Sequence, residues 1–387
     1  MPWMGKAQQI RRQNMKVNAV ASKLFSMLRE DGMRCCILKG QGNALMYPNP
    51  YSRTPGDIDV WVNASRERIM EYAQKKFELG DDIRLQHLET SLDGVPVELH
   101  FFPCSMNNPI YHARLQKWFR RNADLQCSHI VGLPDGAGDI AIPTTAFNVI
   151  YQLTHLYHHF FDEGIGMRQI IDYFLVVNDF SKNVFLDTDF SNHPVNFSNH
   201  PVPLSKEGST FSPSPSSSGS GDVTAPSRCS EPLRSKDGGP SKVSPDCAGW
   251  DRLAIEGDNS AGSATAVTSS ASTALVVVQR ELKYLGLWKF ARAVMFVLHE
   301  VLGLSEDKMI VPVDEKRGRL LLAEILDGGN FGRHFTKYAG FTHQSMGKKY
   351  FLKIWRNMHF VRYFPAEALC EPLFRTWHFF WRLKYKK

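Results

Sequence analysis

The stretch Gly56-Asp57-Ile58-Asp59-Val60-Trp61-Val62 decides the fold of this chain. Its apolar run predicts a β-strand, in which alternate side chains point to the same face of a sheet. Asp57 and Asp59 are therefore expected to project together. Two carboxylates held so close need a counter-charge, and hard Mg²⁺ binds carboxylate oxygens while keeping its other positions for phosphate. The stretch predicts a cation site at the start of a strand.

A glycine turn precedes this strand. Residues 33–38 predict a short buried strand, and Gly40-Gln41 begins a turn into a short helix. Backbone N–H groups at such a turn bind phosphate. Lys39 and Arg53 supply positive charge on either side of it, Arg as a planar fork and Lys as a point charge. A phosphate-binding turn beside a carboxylate pair is typical of proteins that handle nucleotides.

The third element is a predicted hairpin over residues 83–92 and 95–102, turning at Asp93-Gly94. In its second arm apolar and polar residues alternate, so Glu98 and His100 share the polar face. Glu98 adds a third acid if this arm lies beside the Asp57–Asp59 strand.

Composition sets broad limits. The chain has 387 residues, of which 43% are hydrophobic, and a formal net charge of +7, which suits an anionic ligand, nucleic acid or a membrane surface without choosing among them. Seven cysteines without a CxxC pair predict reduced thiols in a cytosolic protein. The N-terminus is polar and basic, so we expect no signal peptide. The chain has no run of about 18 apolar residues, so we expect no membrane-spanning helix.

The rest of the chain is predicted to be helical, with one interruption. Residues 181–272 are rich in Ser, Pro and Gly, carry a tandem repeat, and bury too little apolar surface to fold, so we expect a disordered insertion. The predicted organisation is a basic N-terminal segment (1–16), an α/β domain (17–105), and a helical domain (106–180 and 273–387) around the insertion. The fold class is α+β, with a small mixed sheet.

These motifs resemble a known superfamily. The order of glycine turn, Asp57-x-Asp59 and the later acid Glu98 is similar to the DNA polymerase β-like nucleotidyltransferases, with Gly40-Gln41 in place of their Gly-Gly or Gly-Ser pair. A poorly characterised bacterial nucleotidyltransferase family, often found in polysaccharide-biosynthesis loci, is a closer match over residues 1–180 and 273–387. Further stretches that resemble it are residues 155–159, 168–173 and 329–332.

The resemblance implies a role for each residue. Asp57 and Asp59 would hold Mg²⁺ (or Mn²⁺) on the triphosphate, while Glu98 would complete a second metal site or act as a base. The implied nucleotide-binding residues are Lys39, Gly40, Gln41 and Arg53. Four residues remain as acceptor contacts or support for the site: His100, His155, His159 and Arg168.

Alternative interpretations stay open at several positions. His155 and His159 share a helix face but lack the Glu of an HExxH zinc motif, so helix packing or substrate contact competes with metal binding. Arg168 and Asp172, four residues apart, are also spaced for a simple helix salt bridge. The aromatic and basic residues 372–387 suit either packing on the helical domain or contact with a membrane surface.

The expected function is Mg²⁺-dependent transfer of a nucleoside monophosphate from an NTP to a hydroxyl or phosphate, in the cytoplasm or at the inner membrane face. A sugar, a lipid-linked glycan and a protein are candidate acceptors, and no basic-aromatic cluster demands nucleic acid. The alternatives are a non-catalytic nucleotide-binding or scaffold protein and a peripheral membrane protein.

Overall fold

A computed structural model describes residues 2–79, 84–186, 273–328 and 346–385. It is a mixed α/β structure with a small sheet and many helices. All described residues belong to one compact unit. Most of the predicted insertion and the stretch 329–332 lie outside the described residues.

The central sheet has four strands in the order β1-β2-β4-β3. Strand β2 pairs antiparallel with β1 and parallel with β4, and β3 pairs antiparallel with β4. The strands are β1 (Cys35–Ile37), β2 (Ile58–Val62), β3 (His87–Leu92) and β4 (Val95–His100).

The two faces of β2 enter different hydrophobic cores, as the alternation of its sequence requires. Ile58, Val60 and Val62 pack with α1 (Pro2–Glu30) and α3 (Arg66–Lys76). The short helix α2 (Gln41–Ala44) begins directly after Gly40, as the sequence predicts. Trp61 points the other way, and its ring lies 6.0 Å from that of Phe119 and 6.2 Å from that of Phe147. Since Asp59 alternates with Val60, its carboxylate lies on the same face as Trp61.

The helices on the Trp61 face build the larger core. Helix α5 lies among them and carries fourteen buried residues. Gly286, with φ +76°, separates the helix over 273–284 from the next one. The helices of this core are α4 (Pro109–Ser128), α5 (Thr145–Asp162), α6 (Met167–Leu186), α7 (273–284), α8 (Trp288–Leu302), α9 (Glu315–Gly328) and α11 (Pro365–Ala368). Two further helices, α10 (Met346–Met358) and α12 (Glu371–Tyr385), complete the described part of the chain.

Several boundaries differ from the sequence expectation. Helix α1 begins at Pro2, so the predicted basic segment 1–16 is helical over its described residues. Helix α6 runs to Leu186, six residues into the predicted insertion. A second hairpin, β5 (Ile130–Gly132) with β6 (Asp139–Ala141), has strands of only three residues, too short for a clear alternation pattern.

None of the described helices is long and apolar enough to cross a membrane.

Candidate active site

Three carboxylates meet on the Trp61 face of the sheet. Asp59 of β2 and Glu98 of β4 are direct partners in the parallel register, and Asp57 precedes Asp59 by two positions. One oxygen of each of Asp57, Asp59 and Glu98 lies within 4.8 Å of the others. A set of three carboxylate oxygens at this spacing suits a hard divalent cation. The structure thus brings together the three acids singled out in the sequence.

His100 donates to two of these acids. Its Nε2 lies 3.2 Å from Asp59 Oδ1 and 3.2 Å from Glu98 Oε2. Burial by itself would lower the pKa of His100, but the hydrogen bonds to Asp59 and Glu98 raise it to about 9. Through its Nε2–H the imidazole therefore links Asp59 of β2 to Glu98 of β4.

Lys39 compensates the negative charge of Asp59. Its Nζ lies 3.1 Å from Asp59 Oδ1 and 2.8 Å from His155 Nε2. Burial opposes the charged form of Lys39, yet Asp59, Asp57 and Glu98 together raise its pKa. With Lys39 and His100 beside it, the pKa of Asp59 stays below its usual range in spite of desolvation.

The Lys39 contact also settles the protonation of His155. An ammonium group only donates, so His155 Nε2 accepts the hydrogen bond and the ring is neutral. Burial and the charge of Lys39 agree with this, because both lower the pKa of His155. His159 Nε2 lies 3.2 Å from the same nitrogen, and the centroids of the two rings are 4.3 Å apart. The two histidines that sequence spacing placed on one face thus support Lys39.

Asp57 differs from the other two acids because it is exposed. Among the residues that the structure describes, no side chain forms an ion pair or hydrogen bond with its carboxylate. Desolvation inside the cavity and repulsion from Asp59 and Glu98 raise the pKa of Asp57, although Lys39 lowers it. The cluster therefore has uncompensated negative charge where it opens to solvent. This donor set fits a divalent cation.

The glycine turn lies against these acids. Gly40 has φ +57°, a conformation that glycine adopts without strain, and a Cβ there would lie 3.6 Å from the backbone oxygen of Asp57. Gln41, by contrast, is 3% exposed and donates from its side chain to Asn18 of α1. Gly40 thus lies beside the acids, whereas the Gln41 side chain is hydrogen-bonded to α1, which packs in the core with Ile58, Val60 and Val62.

Arg53 is bound by an acid from α6. Its Nε lies 3.0 Å from Asp172 Oδ1 and its NH2 lies 2.9 Å from Asp172 Oδ2, a bidentate pair buried on both sides. Tyr47 also donates to Asp172, at 2.7 Å. The sequence spacing suggested a salt bridge between Arg168 and Asp172, but Arg53 holds that carboxylate instead.

A cavity of about 290 Å³ contains the site. It is lined by the three acids, Lys39, Gly40, Arg53, His100, His155, His159 and Arg168. A second cavity of about 380 Å³ adjoins it, since Arg84, Gln86, His87, His158, Asp162 and Glu163 line both. Lys353, Phe374, Arg375 and Arg382, from α10 and α12, line only the second.

Sequence reasoning missed His87. Its Nδ1 lies 3.5 Å from Glu98 Oε2, and with Glu98 and His100 it forms a second group whose ligand atoms lie within 4.8 Å of one another. Burial and the neighbouring His100 lower the pKa of His87 to about 4, so the ring is neutral. The sequence does contain a signal for His87. A two-residue hairpin turn at Asp93-Gly94 places position 87 opposite position 100.

Residues 1–190 match the model of a family described as uncharacterised nucleotidyltransferase. The match includes all of α6 and every site residue named in the sequence analysis. No curated protein matches the chain. The chain is also similar to a crystal structure of an antigenic nucleotidyltransferase-like protein from Paracoccidioides brasiliensis, with 17% identity, a TM-score of 0.28, and coverage of 42% of this chain and 75% of that chain. That likeness is too weak to carry an argument. The family match supports a transferase with an NTP substrate.

Proposed function

We propose that this protein is a divalent-cation-dependent nucleotidyltransferase. It would transfer a nucleoside monophosphate from an NTP to an acceptor hydroxyl or phosphate and release pyrophosphate. The observation that carries the proposal is the convergence of Asp57, Asp59 and Glu98 at the wall of a cavity, within the matched residues 1–190. A fold that needed these acids only for packing would gain nothing from placing like charges together.

Each residue has a part in the proposed reaction. Asp57, Asp59 and Glu98 would hold Mg²⁺ or Mn²⁺, which supplies charge stabilisation at the phosphoryl oxygens. The acceptor oxygen bonds to the α-phosphorus, the bond from that phosphorus to the pyrophosphate oxygen breaks, and pyrophosphate leaves. The acceptor proton passes to a base, for which Glu98 is the candidate. Lys39 and His100 keep Asp59 and Glu98 ionised and oriented.

The adjoining cavity is the candidate place for the acceptor. It opens next to His87 and Glu163, and helices from the C-terminal part of the chain provide its far side. Arginine, lysine and aromatic side chains there suit a sugar, a lipid-linked glycan or a protein side chain. A role in polysaccharide biosynthesis is consistent with a sugar acceptor.

Isothermal titration tests the proposal. Mg²⁺ complexes of ATP, GTP, CTP and UTP are titrated into the wild type, the Asp57→Ala/Asp59→Ala double variant and the control Glu300→Gln, an exposed acid outside both cavities. We expect Mg²⁺-dependent binding of at least one NTP by the wild type and the control, and none by the double variant. Pyrophosphate release with cell extract as the acceptor source then tests turnover. Equal, metal-independent behaviour of all three proteins would contradict the proposal.

Two alternatives make different predictions. A non-catalytic nucleotide-binding or scaffold protein would bind Mg-NTP without releasing pyrophosphate for any acceptor. The fact that Lys39 and Arg53 already pair with protein acids favours this alternative, since both charges are compensated before a phosphate arrives.

Peripheral membrane contact through residues 372–387 is the second alternative. Helix α12 exposes 72% of Leu373 and 63% of Phe380 beside basic residues, a composition that suits the interface of an anionic membrane. Flotation with anionic liposomes, with and without residues 372–387, tests it. Equal flotation of both proteins would remove it.

A further inference from the structure

Among the described residues, four Arg and Lys side chains line the cavity beside the carboxylates. Three of them are paired with acids: Lys39 with Asp59, Arg53 with Asp172, and Arg84 with Glu89 at 2.6 Å. Arg168 is the fourth. Within the described parts of the chain, its guanidinium makes no ion pair or hydrogen bond.

The local structure explains why Arg168 has no acidic partner among the described residues. Asp172, one turn further along α6, accepts hydrogen bonds from the Nε and NH2 groups of Arg53 and from the hydroxyl of Tyr47. Gln169, the next residue, turns back and accepts a hydrogen bond from the backbone N–H of Gly166 at 2.8 Å. Among the described residues, the hydrogen bonds at the start of α6 thus do not involve the Arg168 side chain, which is exposed in the cavity wall.

Arg168 also lies close to the carboxylates. Its NH2 is 3.8 Å from the position that a Cβ would take at Gly56, the residue immediately before Asp57. Asp57 is the one acid of the trio without a cationic partner among the described residues. An uncompensated carboxylate and an uncompensated guanidinium therefore border the same cavity, yet they do not pair with each other.

This arrangement is complementary to a metal–polyphosphate complex. The carboxylate side takes the cation, and the guanidinium side takes phosphate oxygens that the cation leaves exposed, in the bidentate geometry that Arg favours. Using Lys39 or Arg53 for phosphate would instead uncover the buried carboxylates of Asp59 or Asp172, which costs free energy.

We propose that Arg168 binds the polyphosphate chain of the nucleotide at this site. The inference rests on the proposed function, because it takes an NTP as the ligand. It makes Arg168 a phosphate-binding residue supplied by the helical part of the chain, in place of an acceptor contact.

Calorimetry with two probes tests this inference: inorganic tripolyphosphate with Mg²⁺, and the Mg-NTP that the wild type binds most tightly. The proteins are the wild type, Arg168→Gln, Arg168→Lys and the control Arg280→Gln, which removes an exposed arginine outside both cavities. We expect Arg168→Gln to bind both probes about 10- to 100-fold more weakly, as the loss of charge-assisted hydrogen bonds predicts. Arg168→Lys should recover part of the loss, and Arg280→Gln should match the wild type.

The outcomes separate the two proposals. If Arg168→Gln keeps wild-type affinity for both probes while binding remains Mg²⁺-dependent, the Arg168 inference is wrong and the proposed function stands. If the wild type binds neither probe, both are wrong. Circular dichroism and thermal melting of each variant exclude misfolding, and an intact fold is expected because Arg168 has no partner in the described residues to lose.

Discussion

Asp59 and Glu98 face each other across the parallel pairing of β2 and β4, and the Nε2 of His100 lies 3.2 Å from a carboxylate oxygen of each. The three side chains form one hydrogen-bonded group on one face of the sheet. Asp57 lies beside them without a cationic partner among the described residues. Asp59 and Glu98 therefore have a hydrogen-bond partner in His100, whereas Asp57 has no such partner among the described residues. Mutations of Asp57 and Asp59 should therefore change stability differently.

Asp59→Asn should destabilise the protein, whereas Asp57→Asn should not. Removing the Asp59 charge leaves the partly buried Lys39 and the buried His100 without their shared partner, which costs about 3 kcal/mol of unfolding free energy. Removing the Asp57 charge relieves repulsion, so the unfolding free energy should stay within about 0.5 kcal/mol of wild type or rise. Urea denaturation without divalent cations measures both. Equal destabilisation by the two variants would contradict the charge arrangement.

Divalent cations should stabilise the wild type. A cation that binds the folded state alone adds about 2.7 kcal/mol at a hundredfold excess over its Kd, which raises Tm. Thermal melting with rising MgCl₂ or MnCl₂, after treatment with a chelator, measures this shift. We expect no shift for Asp57→Asn/Asp59→Asn and a normal one for Glu300→Gln. A shift of the same size in the double variant would place the cation elsewhere.

Asp172→Leu should lower the free energy of unfolding by about 3 to 5 kcal/mol, because it leaves the Arg53 guanidinium buried without its carboxylate partner. The double variant Arg53→Met/Asp172→Leu should recover much of that loss, since it removes both charges. Urea denaturation of the single and double variants gives the coupling energy. Additive losses would show that the pair contributes no coupling.

Glu367 should give the stability a pH dependence. Burial raises the pKa of Glu367 to about 7, against the hydrogen bonds from the backbone N–H groups of Asn107 and Asn108. Between the ordinary value of 4.5 and about 7, the folded state holds a proton that the unfolded state has lost, so stability falls as pH rises through this window and is level above it.

Comparison with Glu367→Gln isolates this contribution. From pH 4.5 to pH 8 the wild type should lose about 3 kcal/mol more unfolding free energy than the variant, which follows from the size of the pKa change. Urea denaturation at four pH values measures the difference. Parallel pH profiles would show that Glu367 is ionised in the folded protein throughout.

Much of the sheet was predictable because its signals are local. The apolar run after Asp57 and the Asp93-Gly94 turn predict β2 and the β3–β4 hairpin, and both are confirmed within a few residues. Local patterns failed where strands are short, as in β5 and β6, and where a polar helix lacks an apolar stripe, as at the start of α1. A run of polar surface residues is compatible with a helix and with a loop, so its sequence does not distinguish between them.

The sequence by itself determined which side chains share a face: Asp57 with Asp59, and Glu98 with His100. That follows from the two-residue period of a strand, which depends on nothing outside the strand. Only the tertiary structure decided that Glu98 lies opposite Asp59, that Asp172 pairs with Arg53 rather than Arg168, and that Lys39 is held by His155. These pairings join residues up to 119 positions apart. They depend on strand register and helix packing, which the cores on both faces of the sheet set together.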